Sequence, residues 1–126
     1  MKVAIVGSRQ YDILDEVKKF VRTLPKGTIV VSGGARGVDK IAELEAEKCG
    51  LETKVFPAYW DEYGKSAGYK RNVQIVNYAD IIVAFWSVGS KGTKHTIDIA
   101  REKGKLLFVV DDYDASLVLG YPIWKK

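Results

Sequence analysis

Short, nearly continuous apolar runs alternate along this chain with longer segments in which apolar residues recur at helical spacing. The apolar runs are rich in β-branched residues and predict five strands, at residues 3–6, 28–31, 53–56, 81–85 and 106–110. The periodic segments predict four helices, at about residues 14–24, 37–49, 67–78 and 93–103. In the third helix, we expect Tyr69, Val73 and Val76 to face inward.

The apolar pattern also predicts how the strands pair. Four of the five runs lack polar alternation, which is typical of parallel strands covered on both faces, whereas Lys54 interrupts the third and marks it as an edge strand. The alternation of strands and helices predicts an α/β, Rossmann-like, doubly wound fold with a mainly parallel five-stranded sheet and helices on both faces. Ligands of such folds bind beyond the carboxyl ends of the strands.

The chain has 126 residues and shows no composition break typical of a linker, so we expect one domain over residues 1–126. The aromatic tail at 111–126 is too apolar to remain free, and we expect it to pack on the domain or on a second copy in a homodimer. No long apolar run or leader is present, so we expect a cytoplasmic protein without membrane contact. The single cysteine, Cys49, is expected to be buried.

The net charge of +4 permits an anionic partner, but the 16 acidic residues are interspersed among the 20 basic ones. A dedicated duplex-binding protein more often carries a basic stripe and a recognition helix, and the spacing indicates neither. Solubility alone explains a charge of this size. The charge pattern therefore weakens the nucleic-acid interpretation.

The second predicted strand runs directly into a glycine turn and then a helix, through Ser32, Gly33, Gly34, Ala35 and Arg36. Glycines allow a ligand to approach the backbone closely, and the following helix directs its free N–H groups and positive dipole end at the same point. This arrangement is typical of a phosphate-binding loop.

Similar residues follow the first and fourth strands, and all three segments are expected to meet at one rim. The further candidate ligand-binding residues there are Gly7, Ser8, Arg9, Gly89, Ser90, Lys91, Gly92 and Thr93. Their hydroxyl and backbone N–H groups are possible phosphate donors. Formation of turns and helix caps alone is the alternative interpretation of the same residues.

Additional candidates lie near the irregular aromatic stretch at 57–66, whose length is typical of functional loops. Arg71 and Asn72 begin the next helix, where Arg71 could bind a phosphate or act in catalysis with Asp39. Ion pairing of the rim arginines with Asp39 or Asp12 within the protein is the alternative. Trp86 and Trp60 could stack on a base or serve in core or lid packing, and His95 is expected to be exposed. No metal-ligand set and no cofactor are indicated.

The combination of these motifs resembles the YspA-type branch of the SLOG superfamily, which is related to the Lonely Guy and DprA/Smf Rossmann-like domains. The resemblance covers the chain to about residue 110. It rests on Gly7-Ser8-Arg9, Val31 to Asp39, Phe56-Pro57-Ala58-x-Trp60, Gly64-x-x-Ala67-Gly68-x-x-Arg71-Asn72, Ala79-Asp80, Phe85-Trp86 and Gly89 to Thr93.

The resemblance implies a nucleotide or nucleotide-derived ligand at the strand ends. Its main implication is a small molecule of the AMP, ADP-ribose or NAD-derived class, with the phosphate at Gly33-Gly34 and Gly92-Thr93 and a base or second ribose under Trp86 and the aromatic stretch at 57–66. Similarity to Lonely Guy enzymes implies, as an alternative, a phosphoribohydrolase that uses Arg71 and cleaves nucleoside 5′-monophosphates to base and ribose 5-phosphate. Similarity to the DNA-processing proteins implies single-stranded DNA binding, which we expect to be less favoured.

Overall fold

The computed structural model describes residues 1–87 and 89–111, with the side chain of Asp111 outside that description. Five strands form one sheet: β1 Lys2–Gly7, β2 Ile29–Ser32, β3 Glu52–Val55, β4 Ile81–Trp86 and β5 Leu106–Asp111. The helices are α1 Leu14–Arg22, α2 Val38–Lys48, α3 Trp60–Tyr63, α4 Ala67–Tyr78 and α5 Lys91–Glu102, with a 3-10 turn at Gly64–Ser66. The predictions for the tail beyond residue 111 lie outside the described residues.

The strand order is β3-β2-β1-β4-β5, and every neighbouring pair is parallel. This confirms the predicted Rossmann-like fold and the edge position of β3. The central strand β1 pairs with β4 in continuous register from Val3 opposite Ile81 to Gly7 opposite Phe85. All five carboxyl ends therefore lie along one rim of the sheet.

Alternate residues of each central strand fill two separate apolar layers. Val3 and Ile5 face the layer formed with α1 and α2, whereas Ala4 and Val6 face the layer formed with α4 and α5. Both layers are shielded from solvent, since all four of these side chains are at most 6% exposed. Helices consequently cover both faces, as the continuous apolar strands predicted.

The end of β1 approaches the start of α2 very closely. A Cβ at Gly7 would lie 2.5 Å from the Cβ of Val38, so the absence of a side chain at residue 7 is a packing requirement. This contact places the start of α2 directly beside the loop that follows β1.

Three local predictions are wrong. Tyr69 and Val73 are 46% and 40% exposed because the phase of α4 instead turns Ile75 and Val76 into the core. Cys49 is exposed, since it follows the last residue of α2 at its solvent-facing carboxyl end. The irregular aromatic stretch also contains the short helix α3.

Within the described residues, no helix combines the length and apolar character needed to cross a lipid bilayer.

Candidate functional site

A cleft of about 610 Å³ lies at the carboxyl ends of β1 and β4. Because the helices that follow these neighbouring strands pack on opposite faces, the two loops diverge and leave an opening between them. The sequence-predicted residues that line the cleft are Gly7, Ser8, Arg9, Ala35, Asp39, Arg71, Asn72, Gly89, Ser90, Gly92 and Thr93. The structure thus brings the three predicted segments together.

Buried hydroxyl groups join the loop after β1 to the start of α5. The Ser87 backbone N–H donates to Ser8 Oγ at 2.9 Å, and Ser8 Oγ donates to Thr93 Oγ1 at 3.3 Å. Ser90 Oγ also donates to Thr93 Oγ1 at 3.3 Å. No described side chain caps the amino end of α5, so its first N–H groups and positive dipole end remain available to an anion at this wall of the cleft.

The β2–α2 loop, residues 33–37, differs from the predicted phosphate cradle. Asp39 Oδ2 accepts hydrogen bonds from the backbone N–H groups of Gly33 at 3.1 Å and Ala35 at 3.3 Å. The N–H between them, that of Gly34, donates to Ser32 Oγ at 3.4 Å. A phosphate at Gly33-Gly34 would have to displace the protein's own carboxylate, and the predicted phosphate position there is therefore wrong.

Asp39 is an unusual carboxylate because it is almost entirely buried. Its side chain is 5% exposed, and its Oδ1 has no hydrogen-bond partner among the described residues. Desolvation raises the pKa of Asp39 from 3.8 to about 6, against the opposing effects of the Ala35 N–H and of the Arg71 charge. Asp39 is also the one carboxylate among the described residues that line the cleft.

Arg71 crosses from α4 to the β2–α2 loop. Its Nη1 donates to the Gly33 carbonyl oxygen at 2.9 Å, and its Nε donates to Asn72 Oδ1 at 3.3 Å. A Cβ at Gly33 would lie 2.7 Å from Arg71 Nη1, so this glycine admits the guanidinium group rather than a ligand. Burial lowers the pKa of Arg71, although Asp39 favours its charged form. No described residue accepts a hydrogen bond from Nη2.

Asn72 holds the start of α5 against α4. Its Nδ2 donates to the Gly92 carbonyl oxygen at 3.2 Å and lies 3.3 Å from His95 Nδ1. The ring of Tyr69 packs edge-on against His95 with centroids 4.6 Å apart. His95 is therefore half-buried between the two helices, and the expectation that it is exposed is wrong.

Eight lining residues were not among the candidate site residues: Val6, Gln10, Lys65, Gly68, Tyr69, Ile75, Ser87 and Thr96. Trp60, a stacking candidate, also lines the cleft. Trp60 is 50% exposed, and its ring reaches across to Gly68, where an added Cβ would lie 3.3 Å from it. The aromatic composition of residues 57–66 indicated Trp60 from the sequence. Gln10 and Lys65 belong to no pattern that separates them from ordinary surface residues.

Other predicted site residues do not line the cleft: Ser32, Gly33, Gly34, Arg36, Trp86 and Lys91. Trp86 donates from Nε1 to the Ser90 carbonyl oxygen at 3.1 Å and packs against the apolar layer under α4 and α5. Its predicted position under a bound base is therefore wrong. Arg36 and Lys91 are exposed outside the cleft, and Ser32 is fully buried.

The predicted catalytic pair, Asp39 and Arg71, lies on one wall of the cleft. Nothing in the geometry tests turnover, so the catalytic role stays a prediction. Among the described residues, no group of three or more His, Cys, Asp or Glu side chains is arranged to hold a metal ion.

Comparison with known proteins gives two sequence relationships. Residues 1–59 match the family model of DNA recombination-mediator protein A. Over 113 residues the chain is 34% identical to the Gene 61 protein of Mycobacterium phage D29, covering 82% of this chain and 90% of that protein.

Two solved structures share the fold. DNA processing protein A from Helicobacter pylori, solved for its single-stranded DNA binding mode, superposes with a TM-score of 0.72 at 24% identity, covering 87% of this chain and 65% of that chain. DNA processing protein A from Streptococcus pneumoniae gives a TM-score of 0.73 at 24% identity, covering 87% and 49% respectively. The chain thus spans less than two thirds of either solved protein.

These relationships correct the expected partner. The chain resembles the Rossmann-like domain of DNA processing protein A, and the Helicobacter pylori protein binds single-stranded DNA, the partner ranked below a small nucleotide-type ligand. The ranking is wrong, and the filling of the Gly33-Gly34 cradle by Asp39 gives a physical reason. The YspA-type assignment and the homodimer stay predictions.

Proposed function

We propose that this chain, which belongs to the family of the Gene 61 protein of Mycobacterium phage D29, binds single-stranded DNA in the cleft at the carboxyl ends of β1 and β4. One observation carries the proposal: the cleft combines cationic side chains with exposed aromatic rings. Arg9, Lys65 and Arg71 supply the charge, and Trp60 and Tyr69 supply the rings. Single-strand binding sites use this combination, because the cations follow the phosphates while the bases stack.

The exposure of the two rings supports stacking on DNA. Trp60 is 50% exposed and Tyr69 is 46% exposed, so much of each apolar ring faces water in the unbound protein. A base that stacks on such a ring removes two apolar faces from water at once. The bases of a duplex already stack on one another, and this source of affinity therefore favours a single strand.

The opposite wall of the cleft suits a phosphate group. The open amino end of α5 provides backbone N–H donors, and Thr93, whose Oγ1 accepts from Ser8 and Ser90, keeps its own O–H as a further uncharged donor. Arg71 Nη2 adds a cation opposite them. We assign one phosphate of the strand to this position, which keeps the Gly92-Thr93 half of the phosphate site predicted from the sequence and drops its Gly33-Gly34 half.

The acidic residue in the cleft does not oppose this assignment. Two backbone N–H groups and the Arg71 charge offset the negative charge of Asp39, and its pKa of about 6 leaves part of the population neutral near that pH. Its remaining role is to fix the β2–α2 loop and, through it, Arg71.

Fluorescence anisotropy with an end-labelled mixed-sequence oligonucleotide of about 20 nucleotides tests the proposal. We expect saturable binding that weakens with salt, and clearly weaker binding to the duplex of the same sequence. Absence of any anisotropy change at low salt, or a preference for duplex, would contradict the proposal.

A further inference from the structure

A second concavity of about 340 Å³ lies beside Arg71. We call it the aromatic groove, and define it by Tyr59, Tyr63, Lys70, Arg71 and Val73. Arg71 lines both concavities, so the two form neighbouring sections of one surface. The cleft and its contacts do not account for this groove.

The groove exposes more apolar surface than folding of the domain requires. Tyr59, Tyr63 and Val73 are 54%, 43% and 40% exposed, although all three lie within one short region of the chain. Clustered exposed aromatic side chains, in contrast to scattered ones, are typical of surfaces that bind a partner.

The charges of the groove indicate which partner fits. Lys70 Nζ lies 4.7 Å from the centroid of the Tyr63 ring, which places a cation directly beside an aromatic face. Arg71 adds a second cation at the boundary with the cleft. Glu62 also lines the groove and forms a hydrogen bond with the Tyr63 hydroxyl, which raises the pKa of Tyr63. Phosphates therefore belong on the Lys70 and Arg71 side, and a base belongs on the tyrosine side.

We infer that a single strand bound in the cleft continues past Arg71 into the aromatic groove, where Tyr59 and Tyr63 stack on a flanking base. This inference rests on the proposed function and extends the binding surface beyond the cleft. Arg71, at the boundary of the two concavities, offers a cation to the phosphates of a strand that passes from one to the other. The two tyrosines provide a second stacking position. Affinity should consequently depend on oligonucleotide length in two steps.

A length series tests the inference. Wild type and the double variant Tyr59→Ala/Tyr63→Ala are titrated with single strands of about 4 nucleotides, which fill only the cleft, and of about 12 nucleotides. We expect the double variant to bind the short strand like wild type and to bind the long strand at least about fivefold more weakly. The rescue variant Tyr59→Phe/Tyr63→Phe, which retains both rings, should restore long-strand affinity.

Leu44→Ala is the matched control, because Leu44 is 44% exposed on α2 and lines neither concavity. Its affinity should equal that of wild type at both lengths. Photo-crosslinking of a bromodeoxyuridine-containing long strand provides a second readout that needs no variant. The crosslinked peptide should include Tyr59 or Tyr63.

The outcomes separate the inference from the proposed function. If wild type binds no single strand of either length, the proposed function itself fails. If wild type binds but the double variant loses no affinity, or loses it equally at both lengths, the groove inference is overturned while binding in the cleft stands. Crosslinks confined to cleft residues would also overturn it.

Discussion

Arg71 Nη1 donates a hydrogen bond of 2.9 Å to the carbonyl oxygen of Gly33, a residue 38 positions earlier in the chain. The bond joins α4 to the loop after β2, and the same loop is held by Asp39 at the start of α2. Three elements therefore fix one wall of the cleft without any ligand. Substitutions in this wall should therefore alter both stability and binding.

Replacement of Gly33 by alanine should destabilise the protein. The new Cβ would lie 2.7 Å from Arg71 Nη1 and 2.9 Å from Arg71 Cδ, and the guanidinium group would have to move. We expect a loss of about 1–3 kcal/mol in the free energy of unfolding, the usual cost of overpacking, measured by urea denaturation. Gly92→Ala is the control: it has no atom within 4 Å of the new Cβ and should change stability by less than about 1 kcal/mol. Equal effects of the two substitutions would contradict the close-approach argument.

Replacement of Asp39 by asparagine should change how stability depends on pH. The pKa of Asp39 is about 6 in the folded protein and 3.8 in the unfolded chain, so the folded state binds the proton more tightly. Protonation therefore contributes stability that is complete below about pH 4 and is lost as the pH rises through about 6, with a magnitude of ~3 kcal/mol.

Asp39→Asn lacks this contribution. The difference in unfolding free energy between wild type and Asp39→Asn should therefore shift in favour of the variant between about pH 4 and pH 7. Urea denaturation across that range measures the difference, and Asp12→Asn controls for the loss of one carboxylate at an exposed position. A constant difference across the range would show that burial does not perturb Asp39.

Removal of a cation from the cleft should reduce the salt dependence of DNA binding. If Lys65 and Arg9 each contact one phosphate, Lys65→Gln and Arg9→Gln should each lower the slope of log affinity against log salt by about 0.7. Lys48→Gln is the matched control, because Lys48 ends α2 at the opposite end of the sheet from the cleft. A loss of slope in Lys48→Gln as large as in the cleft variants would indicate diffuse charge rather than a defined path.

Substitution of Trp60 should weaken single-strand binding, whereas substitution of Trp86 should leave it almost unchanged. Trp60 lines the cleft, and loss of stacking in Trp60→Ala should weaken single-strand binding by about 5- to 100-fold, whereas Trp60→Phe should retain most of the affinity. Trp86 packs internally, so Trp86→Phe should leave affinity within about twofold of wild type. Equilibrium anisotropy measures both, with thermal melting as the folding control. A larger loss of affinity in Trp86→Phe than in Trp60→Ala would reverse the assignment.

The sequence predicted the fold well because the relevant signals are local. Apolar runs and helical periodicity located all five strands and the four longer helices, and the lysine in β3 marked it as an edge strand. The sequence also predicted that the loops after β1, β2 and β4 converge, since parallel strands place all their carboxyl ends on one rim. These inferences need only the direction of each strand and not the position of any side chain.

The contents of the site could not be predicted in the same way. Whether the N–H groups of residues 33–35 face a ligand or Asp39 depends on the side-chain direction of a residue in the next helix. The small size of Gly33 indicated a close approach, but its neighbour is Arg71 rather than a phosphate. Trp86 likewise ends a strand correctly placed from the sequence, yet its ring turns into the protein.

Natural or engineered substitutions at Asp39 and Arg71 will therefore change the structure of the cleft wall, whether or not these residues contact DNA. Truncation of either side chain releases the carbonyl or amide groups of residues 33–35, and the opening is reshaped even when no nucleic acid is present. A null phenotype at these two positions does not by itself identify a contact. Substitutions at the solvent-facing Lys65 and Trp60, which hold no other element in place through a hydrogen bond or ion pair among the described residues, separate the two kinds of loss.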